Sequence, residues 1–144
     1  MSISPYLFRH SPWKMRSALA LIFGLGLTLG ACATSPPAPP TANVTGKWTG
    51  QCFGCQATGF TLTLSQNGGD VTGTVIAAGG HAFGDSEKPI LAGKVSGNQL
   101  SFQVKGDPGD LWLVDVAVRA DGNTMEGTGN YRGSFGLRFT RTSR

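Results

Sequence analysis

The chain has 144 residues and a formal net charge of +4 at pH 7. Three of its cations, Arg9, Lys14 and Arg16, precede the first cysteine, and no acidic residue lies in that stretch. Few aromatic residues alternate with the remaining Lys and Arg, so we expect no nucleic-acid partner. The part that follows is long enough for one small domain with its own core.

The N-terminal segment has the order of features found in an export signal. A basic stretch precedes an apolar run over residues 17–29, which is too short to span a bilayer as a helix. The run ends in Leu29-Gly30-Ala31-Cys32, which resembles the lipobox of bacterial lipoproteins. That resemblance implies cleavage before Cys32 and attachment of lipid to Cys32. The alternative is an ordinary secretory signal with a chance cysteine at its cleavage site.

We therefore expect three parts: a lipoprotein signal peptide over residues 1–31, a lipidated Cys32 with a Pro-rich linker over residues 32–43, and a β-domain over residues 44–144. Removing three cations with the signal lowers the formal charge from +4 to +1. The first partner is then a membrane, contacted through the N-terminal lipid. Ala33 stands where the inner-membrane retention signal has Asp, so the resemblance favours the outer membrane of a Gram-negative cell.

The linker contains Ser-Pro-Pro-Ala-Pro-Pro-Thr over residues 35–41. Proline removes backbone donors and favours the extended polyproline II conformation. We expect this tether to hold the folded part about 20 to 30 Å from the bilayer.

The remaining sequence predicts strands and no helix. Apolar and polar residues alternate with period two, and the runs are separated by Asn-, Asp- and Gly-rich turns. The predicted strands cover residues 44–48, 60–66, 71–75, 91–95, 100–104, 114–118, 125–129 and 135–141. Short connections favour an eight-stranded antiparallel up-and-down barrel over a two-sheet sandwich, because closure removes exposed edges.

Two features bear on the interior of this barrel. Eight bulky residues are predicted to point inward and fill it: Phe60, Leu62, Leu64, Phe102, Met125, Phe135, Leu137 and Phe139. Mid-strand glycines at positions 73, 93, 127 and 129 permit bending or close approach, and they are also expected to leave space inside. Asp115 is expected to face outward, because the opposite register would expose three valines.

The first strand carries a family resemblance. Thr45-Gly46-Lys47-Trp48-Thr49, followed by Thr72-Gly73-Thr74, is similar to the opening of avidins and, more distantly, of lipocalins. The resemblance implies an eight-stranded barrel with Trp48 closing one end, where its indole N–H needs a partner.

The biotin site of avidins does not carry over. Gly50, Val75 and Ala77 stand where the family has Asn, Tyr and Thr, and Trp48 and Trp112 are the two tryptophans of the domain. A polar site that lacks its donors and acceptors rejects its ligand, so biotin binding is not expected.

Cys52 and Cys55 form a Cys-x-x-Cys pair after the first strand. Export to an oxidising compartment favours a structural disulfide between them. A redox dithiol and a metal site are the alternatives, but no helix follows to lower a thiol pKa, and His81 is the single histidine of the domain. Gln56 stands where a haem-attachment motif would need His. We predict no metal and no cofactor.

The sequence shows none of the motifs that mark a nucleophile elbow, a zinc protease or a phosphate loop, so we predict that the protein is not an enzyme. The first functional hypothesis is a barrel whose mouth binds a small apolar or amphipathic ligand. Candidate binding or lid residues are Trp48, His81, Phe83, Trp112 and Tyr131, two of them in the Gly-rich loop over residues 78–88. For that loop the alternative is a solvated connection. The second functional hypothesis is a solidly packed barrel that contacts an envelope protein.

Overall fold

Eight antiparallel strands make up the fold in the computed structural model, which describes residues 35–79, 86–107 and 109–144. The strands are β1 (Gly46–Phe53), β2 (Gly59–Asn67), β3 (Asp70–Ala78), β4 (Lys88–Ser96), β5 (Gln99–Lys105), β6 (Leu111–Val118), β7 (Thr124–Asn130) and β8 (Ser134–Ser143). Each strand pairs with the next along the chain, and β1 pairs with β8. The predicted closed up-and-down barrel is confirmed.

Apolar and polar residues alternate along the strands, and buried and exposed side chains alternate in the same way. All eight residues predicted to point inward are buried, and the described part of the chain contributes no polar or charged residue to its core. Val114, Val116 and Val118 are buried on β6, whereas Asp115 between them is exposed, as predicted. Slipping this strand by one residue would reverse both sets.

The mid-strand glycines allow strands to approach closely. A side chain at Gly73 would collide with the carbonyl oxygen of Thr63, and one at Gly93 with that of Val71. The register shifts next to both, between β3 and β4 and between β4 and β5, which adds the bending that a small barrel needs. A side chain at Gly129 would meet the ring of Phe135. The expectation that these glycines leave space inside is wrong, because backbone and aromatic atoms occupy it.

The connections define two ends of the barrel. The base consists of the turns at residues 67–70, 96–99 and 118–124, together with the chain leading into β1. The mouth consists, among the described residues, of 53–59, 78–79, 86–88, 105–107, 109–111 and 130–134.

Residues 38–43, here called the strap, cross the base before β1 begins. Gly97 accepts hydrogen bonds from the amides of Thr41 (2.8 Å) and Ala42 (3.2 Å) and donates one to Pro39 (3.2 Å). The side chain of Gln66 donates to the carbonyl of Ala42 (3.1 Å). Residues 38–43 of the predicted linker over residues 32–43 are thus bonded to the base, and the tether itself stays a prediction.

Candidate functional site

The interior of the barrel is filled with side chains. A cavity inside it has a volume of about 10 Å³ and is lined by apolar residues of five strands, β2, β3, β5, β6 and β8. Phe60 and Phe139 pack edge to face with ring centroids 6.4 Å apart, and Trp112 meets Phe135 in the same way at 5.4 Å. A drug-sized ligand needs several hundred cubic ångströms, so this space holds one water at most.

An aromatic pair closes the mouth. Trp112 and Tyr131 stack with ring centroids 4.5 Å apart and an interplanar angle of 7°. The Tyr131 hydroxyl donates a hydrogen bond of 2.9 Å to a carboxylate oxygen of Asp110, and Arg132 contacts the same oxygen at 3.0 Å. The hydrogen bond to Asp110 and partial burial raise the pKa of Tyr131 above its usual value. The phenol therefore stays protonated and fastens β7 to the connection that precedes β6.

The cysteine pair also lies at the mouth. Cys52 is the penultimate residue of β1, and the sulfur of Cys55 lies at disulfide-bonding distance from that of Cys52. Their Cα atoms are 5.9 Å apart, within the range usual for disulfides. Phe53 lies between them with 56% of its surface exposed. The pair thus joins the end of β1 to the loop that follows it.

Trp48 lies at the opposite end from this pair and is fully buried. Its indole N–H donates a hydrogen bond of 2.8 Å to the carbonyl oxygen of Val44, which is the partner expected for a residue that closes one end. The guanidinium of Arg141 lies 4.2 Å from the centroid of the indole. Of the candidate binding residues, the structure brings Trp112 and Tyr131 together and leaves Trp48 in the base.

Arg141 joins the two chain ends of the domain at the base. Its Nε donates to the carbonyl of Gly122 (3.2 Å) and one terminal nitrogen to that of Thr45 (2.6 Å), while the other contacts the carbonyl of Asn43. These acceptors are neutral carbonyl oxygens, so they do not balance the positive charge of the guanidinium. The sequence pattern could have indicated this role, because Arg141 continues the inward-facing positions 135, 137 and 139 of β8.

An open cleft of about 420 Å³ surrounds this arginine. Burial and the nearby charge of Arg144 lower the pKa of Arg141. Arg119 pairs with Glu126, whose pKa is lowered by its hydrogen bonds to Arg119 and Arg138. The cleft is lined by Thr41, Ala42, Asn43, Asn98, Val118, Arg119, Ala120, Gly122, Arg141 and Arg144. Sequence analysis did not identify this cleft, since its residues come from the strap and three separate segments.

The outer wall differs between its two halves. Large exposed apolar side chains lie in the half nearer the mouth, and in the described residues they are Phe53, Ile76, Leu91, Leu111 and Leu113. Leu91 and Leu113 are both register partners of Gln103, which places them two strands apart on one surface. A second, polar groove of about 380 Å³ runs along the outer wall over β1 and β8.

Several predicted residues lie outside the part of the chain that the structure describes. These are the signal peptide over residues 1–31, the lipidation site Cys32, and the loop residues His81 and Phe83. Among the described residues, no group of three or more His, Cys, Asp or Glu side chains is arranged to hold a metal ion. No helix of the described residues is long and apolar enough to cross a membrane. The chain matches no known family model and no curated protein.

Proposed function

We propose that this protein is a lipid-anchored lipoprotein of the bacterial cell envelope whose packed barrel contacts an envelope protein through its outer wall. The observation that carries the proposal is the interior, where the cavity formed by the described residues has about 10 Å³ and leaves no room for a ligand among their apolar side chains. A barrel that cannot hold a ligand inside acts through its surface.

The apolar half of the outer wall supports this interpretation. Leu111 is 50% exposed and Leu113 is 45% exposed on β6, and Leu91 is 38% exposed two strands away. Exposed apolar groups that cluster on one surface mark sites of protein contact, because burying them against a partner removes them from water. We assign the partner to this surface, called the Leu113 surface.

Photo-crosslinking in intact cells tests the partner. A photoreactive residue at Leu113 should give an adduct with one envelope protein, whereas the same residue at Thr63 should give none. Thr63 is the matched control, because it is exposed on β2 and lies four strands away around the barrel. Equal adducts at both positions, or none at either, would contradict the proposal.

The anchor is proposed on the sequence motif Leu29-Gly30-Ala31-Cys32. Cys32→Ser removes the thiol that would carry the lipid, so the protein should leave the membrane fraction that the unchanged chain occupies. Continued sedimentation of Cys32→Ser with membranes would refute lipid anchoring. In a Gram-negative cell we place the anchor in the outer membrane, on the basis of Ala33.

Ligand binding at the mouth is a second candidate, and the observation that favours it is the aromatic pair Trp112–Tyr131. The hydrogen bond from Tyr131 to Asp110 helps to hold this pair in place, and Trp112 packs against Phe135, so a movement of the pair would open Phe135 to a small apolar ligand. Native mass spectrometry of the detergent-released protein separates the two functions. A bare mass supports the packed barrel, and a co-purifying small molecule supports the ligand.

A further inference from the structure

We propose that the cleft at the base binds the phosphate of an anionic lipid headgroup in the membrane that holds the anchor. This inference rests on the proposed lipid anchoring and adds a second, non-covalent membrane contact. It starts from charge: Arg119, Arg141 and Arg144 all line one cleft of about 420 Å³.

The positive charge of the cleft is only partly balanced. Among the described residues, Arg119 shares Glu126 with Arg138, while Arg141 contacts neutral carbonyls and Arg144 has no ion pair. Asp121, in the neighbouring turn, accepts hydrogen bonds from that turn and also interacts electrostatically with Arg119, so its carboxylate offsets part of the charge of Arg119 but does not pair with Arg141 or Arg144. An excess of guanidinium groups in an open cleft favours an anion with several acceptor oxygens, and phosphate matches guanidinium donors well.

The strap connects this cleft to the membrane. Thr41, Ala42 and Asn43 form part of its lining, and the same segment leads back towards Cys32. The strap is held to the base from Ala38 onward, because Ser96 donates to the Ala38 carbonyl (3.2 Å). The chain between Cys32 and Ala38 then spans about 20 Å at most when extended. The cleft is therefore kept within reach of the headgroups.

At the opposite end of the barrel the described residues show no such excess. At the mouth Lys88 pairs with Asp107 and Arg132 with Asp110, while Lys105 is exposed. The described residues thus place the unbalanced cations at the end where the anchor segment arrives. This polarity also directs the Leu113 surface away from the bilayer, where an envelope protein can reach it.

The test uses the mature protein from cells that express the full chain. It is reconstituted into vesicles of phosphatidylcholine alone or of phosphatidylcholine with phosphatidylglycerol, and amide hydrogen exchange is followed. Exchange at residues 96–99 and 118–124 should slow on the anionic vesicles only. Arg119→Gln with Arg144→Gln should reduce this protection by roughly 5- to 30-fold, since each basic residue near an anionic surface contributes about fivefold.

The control is Lys105→Gln with Arg132→Gln, which removes the same charge from the mouth and should leave the protection intact. Arg141 is kept unchanged, because it also supports the fold through Trp48 and the strap. A melting curve of each double variant verifies that it is folded. Protection that is equal on both vesicles, or equally reduced in both double variants, would overturn the proposal.

Two further measurements are needed. The first distinguishes a lipid phosphate from a free phosphate, and the second tests whether the protein carries the lipid anchor. Protection by inorganic phosphate in solution without protection on anionic vesicles would assign the cleft to a free phosphate and overturn the lipid assignment. Intact mass shows whether Cys32 carries lipid. If Cys32 carries no lipid, the proposed anchoring is wrong. The proposed phosphate site is still supported if this unlipidated protein cosediments with anionic vesicles and not with neutral ones, and if the double variant Arg119→Gln with Arg144→Gln no longer does so.

Discussion

Replacing Trp48 tests how the base of the barrel is held together. The indole is fully buried, donates 2.8 Å to the Val44 carbonyl, and lies 4.2 Å below the Arg141 guanidinium. Trp48→Ala removes all three interactions, and a buried aromatic truncated to Ala costs about 3 to 5 kcal/mol. Trp48→Phe keeps one six-membered aromatic ring but removes the N–H that pairs with the Val44 carbonyl, and the loss of this hydrogen bond costs about 1 to 3 kcal/mol.

Urea unfolding of the mature protein, followed by circular dichroism, measures these losses. A loss of 4 kcal/mol moves the midpoint by about 2 to 4 M if the slope is about 1 to 2 kcal/mol per molar urea. Thr49→Ala is the control, because Thr49 is the next residue and points outward, and it should change stability by less than about 0.5 kcal/mol. A Trp48→Ala midpoint equal to that of Thr49→Ala would refute the assigned role of Trp48 in the base.

Three further predictions concern the cysteine pair at the mouth, the close contact between strands at Gly73, and Glu126 on the outer wall. Thiol counting on the exported protein should find Cys52 and Cys55 oxidised, and two reactive thiols would indicate a redox or metal site instead. Gly73→Ala should destabilise by about 2 to 4 kcal/mol, since its side chain would strike the backbone of β2. Gly59→Ala should be nearly neutral in the same urea assay, because its side chain would lie 3.5 Å from the Gly50 carbonyl oxygen, an ordinary van der Waals distance. The hydrogen bonds that Arg119 and Arg138 donate to Glu126 lower the pKa of its carboxyl group. The stabilisation from this group is therefore present above its unfolded-state pKa and is lost as the pH falls through its lowered folded-state pKa. The urea midpoint of Glu126→Gln should therefore depend less on acid than that of the unchanged protein, and equal pH profiles would contradict this.

The strands and their order could be predicted because they follow from local patterns. Period-two alternation decides which residues face inward, and short Gly- and Asn-rich turns decide that neighbours in sequence pair in space. Phe135, Leu137 and Phe139 were assigned to the interior on this basis, and all three are buried. Closure followed from counting strands that each have one apolar face.

Features that depend on backbone contacts between distant segments were not predictable in this way. The Pro-rich composition of the strap indicates an extended chain, but its attachment depends on the amide and carbonyl of Gly97, which no side-chain pattern reveals. The prediction of free space at Gly73 is wrong for the same reason, since the main chain of the neighbouring strand occupies that space. Asp110 and Tyr131, 21 residues apart, meet only because β6 and β7 are paired.

The strap has a mechanical consequence. Gly97, which holds residues 39–42, lies at the turn between β4 and β5, whereas Arg141, which contacts Asn43, belongs to β8 on the far side of the barrel. Tension on the N-terminal segment is therefore divided between two sides of the barrel before it reaches β1. The force then acts on several hydrogen bonds of the base at once. The hydrogen bonds between β1 and β8 are therefore not broken one after another from the end of β1.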